Sequence, residues 1–72
     1  MTGVKDMKSL GDAIRRRRRK LGYTQAFLAD YAGVSTSFLS ELENGKETIQ
    51  AGKMMEIIGL LGMDICIQKR GE

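Results

Sequence analysis

Four short polar side chains, Thr36, Ser37, Ser40 and Glu41, alternate at helical spacing with the apolar Phe38, Leu39 and Leu42. A helix over this stretch turns Leu39 and Leu42 inward and the hydroxyls and carboxylate outward. Small hydroxyls let a backbone come close and bond to phosphates or base edges, and a carboxylate can accept from a cytosine N4 amino group. Any solvated helix shows a polar outer face, so the stripe needs its surroundings to become informative. The most conspicuous neighbour is an unbroken cationic run from Arg15 to Lys20. Without it, six basic residues face nine acidic ones, so the net charge of +3 is a local feature. Concentrated positive charge suits a polyanion such as nucleic acid, with a solvated face or a targeting tag as the plainer reading.

Catalysis has no credible set of residues here. Histidine is absent, Cys66 is the sole cysteine and lies in an apolar segment, and no glycine-rich phosphate loop is present. No carboxylates are paired at metal-ligand spacing either, so neither a metal nor a cofactor is expected. The chain of 72 residues reads as one domain, residues 1–72, without proline, repeats or a low-complexity linker. At this size a core rarely supplies more than about 3–5 kcal/mol, and oligomerisation is the reinforcement left once disulfides and zinc are excluded. No stretch reads as a signal peptide or membrane span; Ile57 to Met63 falls far short of the roughly 20 residues needed. With a lone cysteine, this fits a cytoplasmic protein without membrane contact.

Glycines at 22, 33, 45 and 62 divide the chain into segments of helical length, each glycine standing where a helix end wants positive φ. Helix 1 is expected from Ser9, with Ser9 and Asp12 in a capping-box-like start and Leu10, Ile14 and Leu21 on the inner face. Arg17 and Arg18 then lie within about 60° of that face, so a guanidinium meets the core edge and needs a carboxylate partner. Helix 2, Gln25 to Ala32, follows Thr24 as N-cap and buries Leu28, Ala29 and Ala32. Helix 3 follows Ser35 and ends at Asn44-Gly45. Helix 4 opens at Thr48 or Gln50 and presents Met54, Met55, Ile57, Ile58 and Leu61.

After Gly62 the period changes to two, with Met63, Ile65 and Ile67 alternating with Asp64, Cys66 and Gln68. A strand over 63–69 has nothing to pair with inside a helical chain. The favoured solution is the same strand from a second copy across a two-fold axis; a longer helix 4 or a fraying tail is the alternative. Phe27 and Tyr31, four residues apart on helix 2, read as a partner site or as a cap on the core beneath Val4–Met7, the latter preferred. The five methionines read as core filler.

Two short helices joined by a glycine turn have the helix-turn-helix arrangement. The string Thr24-Gln25-x-x-Leu28-Ala29-x-x-x-Gly33-Val34-Ser35, then Leu39-Ser40-x-Leu42-Glu43-Asn44-Gly45-Lys46, resembles the Cro/C1-type (lambda-repressor-like) family, and with Ile14-Arg15-x-x-Arg18 the resemblance covers about residues 9–61. It implies an all-α domain of four to five helices on double-stranded DNA, with a short C-terminal strand (Met63, Ile65, Ile67) pairing across a homodimer. Thr36, Ser37 and Glu41 match its base-reading positions. Gln25, Ser40, Asn44 and Lys46 match its backbone contacts, Gln25 being also able to reach the helix 3 residues that read bases. Arg18 and Glu43 match a structural ion pair. Arg15, Arg16, Arg19 and Lys20 then remain to raise the local potential.

Glu41 to Ile49, followed by a Met/Ile-rich helix and Leu61-Gly-Met-Asp-Ile-Cys-Ile67, looks like the HipB-like antitoxins, whose dimers bind a pseudo-palindromic operator and a HipA-like kinase toxin. Glu47, where proline is common, and Gly52, where a larger side chain is usual, depart from that pattern. The resemblance therefore implies a transcriptional repressor and antitoxin. The rivals are a phage-type or operon repressor with no toxin partner, and an interaction scaffold that keeps the fold without reading DNA.

Overall fold

The computed structural model describes residues 3–67 and 69. Four helices follow one another: α1 (Met7–Lys20), α2 (Gln25–Ala32), α3 (Thr36–Glu43) and α4 (Ala51–Leu60). Helix α1 starts two residues before its expected position, because Asp6 is the N-cap. The Asp6 carboxylate accepts from the Ser9 backbone N–H at 2.7 Å, and Ser9 Oγ accepts from the Asp6 N–H at 3.3 Å. Ser9 is thus the closing member of a reciprocal capping box, not its opening residue. Asp12 pairs one turn back with Lys8 at 3.5 Å instead.

Helices α2 and α3 begin where their hydroxyl caps place them: Thr24 accepts from Phe27 N–H, and Ser35 accepts from Phe38 N–H, each at 3.0 Å. Helix α4 follows Gln50, whose side chain makes no cap bond. Gly22, Gly33, Gly45 and Gly62 all have positive φ. At Gly45 this is doubly constrained, since φ is +85° and a Cβ would stand 2.8 Å from the Lys8 Cα.

Ile14, Leu28, Ala29, Leu39, Leu42, Ile57, Ile58 and Leu61 form the core, with α3 packed against both α1 and α2. Leu10, Ala32 and Met54, also expected inward, are partly buried against it, whereas two expected inner residues are exposed. Leu21 follows the end of α1 as its C-cap and is exposed, and Met55 sits on the outer edge of α4, 55% exposed. The aromatic pair does not cap the core. Burial of Leu28 and Ala29 turns the 27/31 edge of α2 to solvent, leaving Phe27 52% and Tyr31 66% exposed. The two rings stack at 6.1 Å, and Phe27 continues to Tyr23 at 5.0 Å.

Residues 63–67 have no regular secondary structure in the single chain, and Gln68 lies outside the described residues. Met63 is half-buried, whereas Ile65 and Ile67 are exposed. Residues 63–66, with Gly3, Val4, Leu10, Ala13, Met54 and Ile58, line an apolar groove of about 450 Å³. No described helix is long and apolar enough to cross a membrane.

Candidate nucleic-acid interface

One buried carboxylate organises the polar side of the fold. Glu43 ends α3 fully buried, and its two oxygens accept four hydrogen bonds. Arg18 supplies two of them, from Nε to Oε2 at 2.7 Å and from Nη2 to Oε1 at 2.9 Å. Gln25 Nε2 adds a third at 3.1 Å, and Arg15 Nε a fourth at 3.2 Å. The third arm of Arg18 donates to the Tyr23 carbonyl at 2.8 Å, so this nearly buried guanidinium spans α1, the α1–α2 turn and α3. Among the described residues no buried side-chain polar atom lacks a partner.

Burial pushes the Glu43 carboxyl up, but the bonds from Arg18, Gln25 and Arg15 outweigh it and hold the group below its ordinary value. The unfolded chain therefore takes up this proton first, in the ordinary carboxylate range, while the folded chain resists to lower pH. The stability that Glu43 contributes is expected to be complete above about pH 5 and to fall as pH drops through the carboxylate range. Urea midpoints measured between pH 7 and pH 3 should stay level and then decline; a rise on acidification would contradict the assignment.

The cationic run is divided by helix geometry. Arg18 is buried, and Arg17 Nε donates to the Leu61 carbonyl at 2.8 Å, closing the end of α4. Arg15, expected to stay free, is engaged: its Nη2 also donates to Asn44 Oδ1 at 3.1 Å. Its position one turn before Arg18 on α1 puts it over the same end of α3. Arg16, Arg19 and Lys20 are the exposed members.

On α3, Thr36, Ser37 and Glu41 are exposed and Ser40 is half-buried. Asn44 is exposed, with Nδ2 3.5 Å from Ser40 Oγ. Lys46, also exposed, pairs with Glu41 at 3.0 Å, so the free protein neutralises two adjacent polar groups against each other. Gln25 opens α2 half-buried, with one amide N–H on Glu43 and the other unused by it. The polar row of α3 is thus bracketed by two carboxamides that meet the same buried ionic cluster. Arg15 and Gly11 are the residues the sequence reading missed. Arg15 was hidden in a run of identical residues, and Gly11, buried on α1, matters because a Cβ there would stand 2.5 Å from the Leu42 carbonyl oxygen of α3, an interhelical distance.

Comparison with known proteins places the fold. The helix-turn-helix family matches residues 14–67. An "Uncharacterized HTH-type transcriptional regulator y4mF" from Sinorhizobium fredii is 36% identical over 69 residues, covering 96% of this chain and 91% of the relative. Among solved structures, the "HipB-O4 20mer complex" superposes with a TM-score of 0.86 at 20% identity, covering 97% of this chain and 99% of that one. A chain of the "HipA-HipB-O2-O3 complex" gives the same values. The chain belongs to the helix-turn-helix family of transcriptional regulators.

Proposed function

We propose that the chain, a single domain over residues 1–72, is a homodimeric DNA-binding repressor in the cytoplasm and the autoregulating antitoxin of a HipA-like toxin pair. One observation carries the DNA part: the exposed row Thr36, Ser37 and Glu41 on α3 stands between Gln25 and Asn44, both fixed to the Glu43 cluster. In this reading the first three side chains read base edges in the major groove. Gln25, Ser40, Asn44 and Lys46 hold the phosphates on either side. Two copies place their α3 helices about 34 Å apart on a pseudo-palindrome. Footprinting on the DNA upstream of the protein's own gene tests this. Protection of a two-fold site whose affinity falls steeply with salt is the expected result, and an unprotected promoter would end the repressor reading.

The Glu41–Lys46 pair gives a sharper expectation. Removing the carboxylate in Glu41→Ala takes a negative charge off the DNA face and releases Lys46 to a phosphate. Affinity for a scrambled duplex should therefore rise a few-fold while preference for the promoter duplex falls, measured side by side by fluorescence anisotropy.

The dimer reading is supported by the apolar groove under residues 63–66 and by Ile67, 94% exposed at its end. A protein truncated after Gly62 is expected to run as a monomer in light scattering where the full chain is a dimer. A stable truncated dimer would move the interface elsewhere. The toxin partnership rests on the sequence resemblance of residues 41–67 and on the likeness to HipB in a structure described as containing HipA. Co-purification with the product of an adjacent kinase-like gene is its separate test.

A further inference from the structure

We infer that Arg15 is a positioning residue for the DNA-backbone contact at the end of α3: it orients the Asn44 carboxamide so that its amide nitrogen, not its carbonyl, faces the phosphate. This rests on the repressor reading above. A phosphate oxygen only accepts, so an asparagine that binds it must present its amide nitrogen, not its carbonyl. An unrestrained carboxamide at an exposed helix end has no reason to prefer either orientation. Here Arg15 Nη2 holds Asn44 Oδ1 at 3.1 Å, and the same guanidinium is anchored through Nε on Glu43 at 3.2 Å.

The carbonyl end is therefore occupied, and Nδ2, which gives one N–H to Ser40 Oγ at 3.5 Å, keeps the other for an incoming acceptor. The anchor is firm because Glu43 is fully buried and tied to Arg18 as well. The guanidinium fork is what permits this, since two of its nitrogens reach neighbouring residues at once. A lysine keeps the charge but offers one nitrogen, which can satisfy Glu43 or Asn44 but has no rigid span to hold both. Gln25 hangs from the same carboxylate, so the two brackets of the α3 row share one anchor.

A double-mutant cycle tests the role. Affinities for a labelled duplex of the protein's own promoter are measured for wild type, Arg15→Lys, Asn44→Ala and the double variant over a range of salt, with Arg15→Gln run in parallel. Arg15→Lys should weaken binding about fivefold in the wild-type background and less than twofold once Asn44 is alanine. Its dependence on salt should match wild type, because the charge is kept. Arg15→Gln should repeat the non-additivity with a shallower salt slope, which keeps the test decisive if either variant folds poorly. Losses that add, or no loss in Arg15→Lys, would show that Arg15 acts independently of Asn44 or not at all, and would overturn this role alone. If wild type binds no promoter duplex, the repressor reading falls and this role with it.

Discussion

Glu43→Ala is expected to leave most of the protein unfolded at 25 °C. Deleting the carboxylate strands Arg18, 6% exposed, without a counter-charge, and removes the acceptor of Arg15 and Gln25 at the same time. Breaking a buried pair from one side costs about 3–5 kcal/mol, which matches what the core of a domain this small supplies. Removing the other side should be milder, because Arg18→Met still leaves Glu43 with Arg15 and Gln25. The double variant Arg18→Met/Glu43→Leu should regain much of the loss, since no charge then remains in the buried position. Far-UV circular dichroism with urea titration gives the order. An Arg18→Met protein less stable than Glu43→Ala would mean that Arg15 cannot hold the carboxylate alone.

The second large effect belongs to a residue with no side chain. Gly11 faces the end of α3 so closely that a Cβ there would meet the Leu42 carbonyl oxygen at 2.5 Å and that of Glu43 at 2.6 Å. These are backbone atoms at a helix end, and they cannot rotate away as a side chain could. Gly11→Ala gains roughly 1 kcal/mol of intrinsic helix propensity, so a naive expectation is stabilisation. The contact should reverse the sign, with a net cost of about 1–3 kcal/mol as α1 is forced off α3. For a chain of this length that lowers Tm by roughly 4–8 °C for each kcal/mol. A thermal melt of Gly11→Ala at or above wild type would show that the helices slide apart without loss. Because Arg15 and Arg18 ride on α1, the same change should also loosen the ionic cluster and weaken DNA binding beyond its effect on Tm.

The two predictions mark where the sequence was legible. Helices α2 and α3 were readable to the residue because their starts and stops are chemical: Thr24 and Ser35 accept backbone N–H groups, and Gly33 takes a left-handed φ of 73°. The start of α1 was misplaced because Ser9 suits both ends of a capping box, and only the folded geometry shows Asp6 opposite it. The outward placement of Thr36, Ser37 and Glu41 followed from period alone. The Arg15–Asn44 and Gln25–Glu43 bonds did not, since they depend on where two helices cross. The aromatic pair went wrong for a similar reason: Leu28 and Ala29 already fill the space beneath α2, and a size-based reading cannot see that the space is taken.

The arginine run carries a consequence of its own. Five consecutive identical residues carry no mark of their own; only the apolar period of the helix around them turns position 18, and not position 19, toward Glu43. A register shift of α1 by one residue would still offer an arginine to the carboxylate. A steric mark supports that period: at Gly11 the carbonyls of Leu42 and Glu43 stand where a Cβ would be, so this position of α1 must be the one turned to the end of α3. The glycine is the phase mark of the helix, and the run after it is a repeated symbol that acquires distinct meanings only once that phase is set.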